Sequence, residues 1–386
     1  MEGGTENWKT PSSATSRMRN CVLVALLLAH SIIGLGQNPE HSLESFFEYD
    51  PNLEHQVDEV FKSLSDTQRV AQMIVTSAGE LGKPAATVKK LVDQNKVGGV
   101  IFLKGTRTAH SSLVSELDGI SNTNGSLPLL FSMDAEPSLF NGRVKGSQKL
   151  INTIEIENEA DCDSIVTIIN DELLGIGIRQ NFAPVCDLSP NNEAIKNRSF
   201  GSDLERVVSM SKAFIASSQS QGVVATAKHF PGHGLVNGDT HKQSVYIDGP
   251  LQELAVYPPL IEAGVISIMV AHITVNNNDE YGTDGLPSSC SRKIVTDLLK
   301  TELGFKGIVI TDALNIMKAV TILDDAPLRA SKAGCDVLLM PIDESNVIQS
   351  MLAEIEKDEA YRRQVYSSVK KIIRLKICLG LIPKTE

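Results

Sequence analysis

Short apolar runs alternate with longer amphipathic segments along most of the chain. Eight runs have the length and the β-branched content of buried strands, and they cover residues 70–75, 99–103, 127–133, 178–185, 223–227, 266–270, 308–311 and 337–340. The segments between them, such as 164–174, 204–217 and 291–303, have apolar residues at the three- and four-residue spacing of amphipathic helices. This alternation predicts an α/β fold, a single-domain (β/α)₈ barrel of the TIM type.

A doubly wound open sheet is the structural alternative, and two features favour the barrel. Polar or ionisable residues follow several of the apolar runs, at the carboxyl ends of strands where barrel enzymes build their sites. They include Asp134, Asp187, the pair Lys228 and His229, and Asp312. No G-x-G-x-x-G follows the first run, so the fingerprint of a dinucleotide-binding sheet is missing.

The N-terminal region has the three-part pattern of a secretory signal. A short basic stretch at 17–20 precedes an apolar run at 21–29, and small residues follow at Gly34 and Gly36. We therefore expect residues 1–36 to be a signal peptide with possible extra N-terminal residues, 37–49 a linker, and 50–386 the barrel domain. The expected destination is the periplasm or the medium, with no membrane span after signal removal. An uncleaved membrane anchor is the alternative.

Composition excludes some classes of protein and leaves others open. The 386 residues are 42% hydrophobic and 22% charged, as in ordinary globular proteins, and the formal net charge is −11. This acidity argues against a nucleic-acid partner, for which a basic surface is expected. The cysteines have no metal-ligand spacing, and we predict neither a metal nor a cofactor. The oligomeric state is left open.

The densest group of chemically active residues is 228–241, KHFPGHGLVNGDTH. It follows the small and β-branched residues 222–227, and its glycines and Pro231 predict a loop after a buried strand. Asp239 and His241 are two apart, so in an extended segment they share a face. A carboxylate beside an imidazole can fix its tautomer and stabilise the imidazolium, which suits proton transfer.

Asp312 closes the run 308–311 and is the second candidate. A carboxylate at the mouth of a buried strand needs pairing, hydrogen bonds or hydration. Spacing alone leaves two interpretations open, a functional carboxylate or a cap of the following helix. Asp134, after the third run, has the same two interpretations.

Together these motifs resemble the family 3 glycoside hydrolases. KHFPGHG with Asp239-Thr240-His241, and ITDAL at 310–314 downstream, are similar to the bacterial β-N-acetylhexosaminidases of that family, the cell-wall recycling type. The resemblance extends from about residue 66 to residue 382 and includes NFAPV at 181–185, NRSFG at 197–201 and ELGF at 302–305.

The resemblance implies a retaining exo-glycosidase that acts on a small saccharide. It would release terminal β-N-acetylglucosamine from cell-wall-derived or chitin-type saccharides through a covalent glycosyl-enzyme. Asp312 matches the nucleophile, His241 the general acid/base and Asp239 the residue that orients it. The positions that match sugar-binding residues are Asp134, Arg198, Lys228 and His229.

One segment departs from the family pattern. Relatives of this kind have Glu-Gly-Gly-Arg close behind the carboxylate that follows the third strand, and that arginine holds the sugar. Here Asp134-Ala135-Glu136 is followed by PSLFNGR, so the arginine is displaced to Arg143. Arg143 is a further candidate sugar ligand.

Three other functions compete with this one. A β-glucosidase of the same family is the nearest. A saccharide-binding barrel without turnover is the second, although it leaves the three candidate catalytic residues without a role. The third is a metal hydrolase using His229, His233, His241 and Asp239; the His-x-x-x-His spacing needs a helix, which Pro231 and Gly232 disfavour.

Overall fold

A computed structural model describes residues 41–189, 192–236 and 245–383. The predicted signal peptide, Asp239 and His241 lie outside the described residues. Among the residues described, no helix is long and apolar enough to cross a membrane.

Eight parallel strands form a nearly closed barrel. They are β1 Ile74–Ala78, β2 Gly99–Phe102, β3 Leu130–Met133, β4 Gln180–Asn181, β5 Val224–Phe230, β6 Ser267–Val270, β7 Ile308–Thr311 and β8 Leu338–Leu339. They pair in the order β7-β6-β5-β4-β3-β2-β1-β8, and a parallel bridge between Ile310 and Val337 links the two ends of this order. The predicted eight-stranded α/β barrel is thus confirmed in preference to an open doubly wound sheet.

Helices surround the barrel and alternate with its strands. They are α1 Pro51–Ser63, α2 Asp66–Gln72, α3 Ala85–Asp93, α4 Arg107–Thr123, α5 Pro137–Arg143, α6 Glu159–Ile176, α7 Leu204–Ser220, α8 Tyr257–Glu262, α9 Lys318–Thr321, α10 Ala326–Ala333, α11 Glu344–Lys357 and α12 Glu359–Cys378. A π-helix spans Lys293–Glu302, and 3₁₀ turns span Leu43–Phe46, Thr153–Glu155, Lys196–Arg198, Gln252–Val256 and Ser288–Cys290. Two short strand pairs, Gly105–Thr106 with Val144–Lys145 and Tyr246–Asp248 with Thr274–Asn276, lie outside the barrel.

The first predicted strand is displaced. Residues 70–72 end helix α2 instead of beginning β1. Ser65 and Gln68 form a reciprocal capping box that starts this helix, and its apolar residues belong to the helical face. The strand itself begins at Ile74 and continues through Thr76 and Ser77, whose polar side chains are buried.

The described part of the predicted linker is packed against the barrel domain. Leu43–Phe46 form a 3₁₀ turn, and the side chains of Leu43 and Phe46 are buried. The Arg374 guanidinium of α12 donates hydrogen bonds to the carbonyls of Phe46 at 2.7 Å and Ser45 at 3.1 Å. The folded unit therefore includes residues 41–49, and Asp50 caps α1 within it.

Candidate active site

The predicted site residues that the structure describes gather at the carboxyl ends of the strands. Asp134 directly follows β3, and Asp312 directly follows β7. Lys228 and His229 lie near the carboxyl end of β5. Because all eight strands are parallel, these positions share one rim of the barrel. Asp187 joins them, since the chain beyond β4 stays beside β5 through a bridge between Val185 and Lys228.

Lys228 is the centre of a buried charge network. Its Nζ lies 2.8 Å from Asp134 Oδ1 and 3.2 Å from Glu136 Oε1, and the residue is only 1% exposed. Burial opposes the ammonium charge, but the two carboxylates outweigh it and raise the pKa of Lys228. Burial likewise opposes the charge of Asp134, while Lys228 and Arg143 hold the pKa of that carboxyl well below its usual range. Both groups are therefore charged at neutral pH.

Arg198 and Glu136 form the second part of this network. Arg198 Nε donates to Glu136 Oε2 at 3.0 Å, and Nη2 donates to Oε1 at 2.7 Å, a bidentate geometry. Arg198 was predicted to lie in the site, and the structure places it there through Glu136. Glu136 itself was not predicted, although its position two residues after Asp134 was a usable signal.

Arg143 also reaches the network despite its displaced position in the sequence. It ends helix α5, and its Nη2 donates to Asp134 Oδ2 at 3.2 Å. Its buried Nε has no hydrogen-bond partner among the described residues. The short helix α5 compensates for the longer spacing by folding the chain back toward Asp134.

Asp187 holds His229 and the turn that follows it. The Asp187 Oδ2 atom lies 2.7 Å from His229 Nδ1, while Oδ1 accepts hydrogen bonds from the backbone N–H groups of His229 and His233. Burial disfavours the carboxylate, but His229 lowers the pKa of Asp187. With Asp187 engaging Nδ1, Nε2 is the ring nitrogen of His229 that is left for another partner.

Asp312 has the protonation state that a nucleophile needs. Burial opposes its charge, yet His229 and His272 hold the pKa of Asp312 below its ordinary value. Its backbone N–H donates to Val270 O at 3.0 Å, and Oδ1 accepts the Ala313 N–H at 2.7 Å. Among the described residues, no donor is bonded to Oδ2, so this oxygen is available to a reacting atom.

His272 is a neighbour of Asp312 that the sequence did not single out. It follows β6, and its Nδ1 lies 2.6 Å from Ser289 Oγ. Burial lowers the pKa of His272, which favours the neutral ring. Its position two residues after a predicted strand, as in Ala271-His272, was the only available signal.

Two further observations bear on the competing interpretations. His229 and His233 are close, with ring centroids 5.7 Å apart, but His229 Nδ1 is engaged by Asp187. Within residues 41–189, 192–236 and 245–383, no group of three or more His, Cys, Asp or Glu side chains is arranged to hold a metal ion.

Comparison with known proteins decides the family. The model of the glycosyl hydrolase family 3 N terminal domain matches residues 66–375. The chain belongs to glycosyl hydrolase family 3. Within the family it is 31% identical over 270 residues to a beta-hexosaminidase of Vibrio cholerae serotype O1, and the match covers 66% of this chain and 78% of that protein.

Two other family 3 proteins show how length varies among the relatives. The chain is 28% identical to a beta-N-acetylglucosaminidase/beta-glucosidase of Cellulomonas fimi over 74% of its length, but spans only 53% of that protein. The chain thus spans about half the length of some curated relatives that it matches. The solved structure of a beta-N-acetylhexosaminidase from Beutenbergia cavernae superposes with a TM-score of 0.73 at 26% identity, and covers 80% of this chain and 98% of that one.

Proposed function

We propose that this family 3 protein is a retaining exo-glycosidase that removes terminal β-N-acetylglucosamine from small saccharides. The observation on which the proposal depends is the placement of Asp312. An ionised carboxylate, with one oxygen bound to no donor of the described residues, stands on the same barrel rim as a dense array of charged groups that could bind a sugar. Similarity to the Vibrio and Beutenbergia enzymes supports the choice of sugar.

The first step requires an attack by Asp312 on the anomeric carbon. Oδ1 is already occupied by the Ala313 N–H, so Oδ2 would form the bond to the sugar while the bond to the leaving oxygen breaks. His241 would donate the proton to that leaving oxygen, and Asp239 would orient the imidazole. In the second step His241 would take a proton from water, and the water would release the sugar from Asp312.

The charge network would bind the sugar hydroxyls. Asp134 can accept hydrogen bonds from two neighbouring hydroxyls, while Lys228, Arg198 and Arg143 can donate to them. Asp134 already binds Lys228 and Arg143, and Glu136 already binds Lys228 and Arg198, so these side chains would meet the sugar with little loss of conformational freedom. His229 Nε2 would form a hydrogen bond with a further hydroxyl of the sugar.

A β-glucosidase is the second candidate, and the Cellulomonas relative favours it because its name includes both activities. The two substrates differ at C2, where an acetamide replaces a hydroxyl. Release of nitrophenol from the β-N-acetylglucosaminide and from the β-glucoside separates them. We expect the acetamide substrate to have the larger kcat/KM, and the reverse order would favour the glucosidase.

The same assay excludes the remaining alternatives. The Asp312→Ala variant should lose activity on both glycosides, whereas a saccharide-binding barrel would be inactive before the substitution. Activity of the native chain that survives a strong chelator would exclude the metal hydrolase.

We further propose that the protein is exported and acts on cell-wall-derived saccharides. The N-terminal pattern at residues 17–36 supports export. Fractionation of expressing cells followed by N-terminal sequencing tests this. A mature protein that begins near residue 37 outside the cytoplasm is the expected result, and an uncleaved cytoplasmic chain would contradict it.

A further inference from the structure

Glu253 is a buried acidic residue on the same side of the barrel for which the proposed reaction has no role. It lies in the 3₁₀ turn Gln252–Val256 and is only 4% exposed. Its Oε1 accepts hydrogen bonds from the N–H groups of Leu188 at 2.7 Å and Gly234 at 3.1 Å. Its Oε2 accepts the Leu235 N–H at 3.1 Å. One carboxylate therefore joins the loops that follow β4 and β5.

These two loops are the ones that hold the Asp187–His229 pair. Leu188 directly follows Asp187, and Gly234 directly follows His233, whose own N–H binds Asp187 at 2.9 Å. Asp187 and Glu253 thus bind successive backbone amides of one turn. Any shift of Gly234 relative to Leu188 would alter the position of Asp187 relative to His229.

The glycines of the central motif allow this close approach. A Cβ at Gly232 would lie 2.4 Å from Glu253 Cβ, and Gly232 also has a positive φ of 134°. A Cβ at Gly234 would lie 2.0 Å from Leu188 O and 2.9 Å from Glu253 Oε1. All three distances are too short for a side chain at either glycine. The glycines of the P-G-H-G sequence therefore allow the backbone to pack directly against Glu253 and Leu188.

Asn192 binds the same turn from another direction. Its Nδ2 donates to the carbonyls of His233 at 3.0 Å and Val236 at 2.6 Å, while its Oδ1 accepts the N–H groups of Ala194 and Ile195. Asn192 therefore binds the carbonyls of the turn and Glu253 binds its amides. Among the residues that the structure describes, only the Glu253 side chain connects the turn to Leu188, the residue next to Asp187.

We infer that Glu253 is a positioning residue that fixes the Asp187–His229 pair by joining the loops after β4 and β5. It would act through His229 and would not touch the sugar. This inference rests on the proposed function, because His229 affects catalysis only if the barrel binds a glycoside.

A double-mutant cycle tests this inference. Glu253→Gln keeps the shape of the side chain but replaces one of the two oxygens by an NH₂ group, which cannot accept the N–H group bound there. We therefore expect kcat/KM to fall about tenfold in the native background. In a His229→Ala background the same substitution should change kcat/KM by less than about twofold, because the imidazole ring that Glu253 positions is no longer present. Equal losses in both backgrounds, or no loss in the native one, would overturn the inference. Glu253→Asp, which keeps the carboxyl group but shortens the reach, should repeat the pattern and serves if Glu253→Gln does not fold.

Two controls separate failure of this inference from failure of the proposed function. Glu262→Gln, an exposed glutamate at the end of α8, should leave kcat/KM within about twofold. Amide hydrogen exchange needs no substrate: in the native chain the N–H groups of Leu188, Gly234 and Leu235 should be protected. Their rapid exchange would contradict the anchoring itself. An inactive native chain with protected amides would instead count against the proposed function alone.

Discussion

The two ends of the barrel both bury acidic and basic side chains, but they bury them differently. At the carboxyl end, Lys228 links Asp134 and Glu136. At the amino end, Asp336 precedes β8 and is bound by Lys300 at 3.0 Å and Lys371 at 2.6 Å. In both clusters burial disfavours the charges, and the neighbouring basic groups nevertheless lower the pKa values of the carboxyls Asp134 and Asp336. Burial of charge alone does not distinguish a site from a structural cluster.

The two clusters differ in whether their charged groups can still form hydrogen bonds with a ligand. Asp336 is fully buried, and besides the two lysines it accepts the Ser368 hydroxyl and the Val309 N–H, so both oxygens are saturated. At the other end, the Asp134 and Arg198 side chains are about one-fifth exposed, at 22% and 19%, and no donor in the described part of the chain is bonded to Asp312 Oδ2. Saturated charges stabilise the fold, whereas accessible and unsaturated ones can bind a ligand.

The largest effect is expected at Asp312. Asp312→Asn removes the proposed nucleophile but preserves its shape, so kcat should fall on the order of 10⁴-fold or more. Because His229 and His272 lower the pKa of Asp312 in spite of its burial, the folded state favours the carboxylate, and the melting temperature of the variant should fall slightly. Steady-state kinetics and thermal unfolding measure the two quantities. A variant with more than a tenth of the native kcat would remove Asp312 from the reaction.

The opposite result is expected for Asp336. Asp336→Asn leaves the partly buried Lys300 and Lys371 without their fully buried counter-ion, which should lower the free energy of unfolding by about 3–5 kcal/mol. Urea denaturation measures this loss, and kcat at a temperature where the variant is folded should stay within about twofold. Asp279→Asn, an exposed position, is the control and should be neutral. A large loss of kcat in folded Asp336→Asn would erase the contrast between the two ends.

Lys376 provides a second test of stability at the amino end of the barrel, one that depends on pH. It is fully buried at the amino end, donates to Gln72 Oε1 at 2.6 Å and Gly98 O at 2.8 Å, and has no carboxylate partner among the described residues. Burial lowers the pKa of Lys376 from 10.5 to about 7. Between these values the unfolded chain binds the extra proton, so the contribution of Lys376 to stability rises with pH, by up to about 1.4 kcal/mol per unit.

The measurement is the difference in unfolding free energy between the native chain and Lys376→Met from pH 7 to pH 9. This difference should increase in favour of the native chain as the pH rises. Lys357→Met, at an exposed lysine of α11, should show no such trend. A difference independent of pH would mean that Lys376 is charged in the folded state.

The smallest effect is expected at Arg143. Its Nη2 binds Asp134, and its Nε has no partner in the described part of the chain, so Arg143→Met should raise KM about tenfold, or about 1.4 kcal/mol, with a smaller change in kcat. Arg292→Met, at an exposed arginine away from the strand ends, is the control. An unchanged KM would show that Arg143 does not bind the sugar.

The periodicity of the sequence was sufficient to predict the barrel but not all of its strand boundaries. Strands β6 and β7 were predicted within one residue because they are continuous apolar runs. The start of β1 was missed because the apolar Val70 and Ala71 face the core from a helix, and its end was missed because the buried residues Thr76 and Ser77 are polar. Apolar character marks burial, and it does not by itself distinguish a strand from a buried helical turn.

The site was predicted best where its residues lie in a contiguous motif. Lys228 and His229 were found in this way, but the partners that fix them, Glu136, Asp187 and Glu253, come from three other segments. A pairing such as that of Glu253 with Leu188 spans 65 residues and depends on strand order, so no local pattern can indicate it. Asp239 and His241 lie outside the described residues and their roles stay predictions.

The most direct test of the account is to trap the covalent intermediate. A 5-fluoro analogue of N-acetylglucosaminyl fluoride should form the glycosyl-enzyme quickly and release it slowly, because the fluorine destabilises the cationic transition state of both steps. Intact mass spectrometry should show one added sugar, and peptide mapping should place it on Asp312 and find none in Asp312→Asn. A sugar attached to another residue, or turnover without any trapped adduct, would contradict the account.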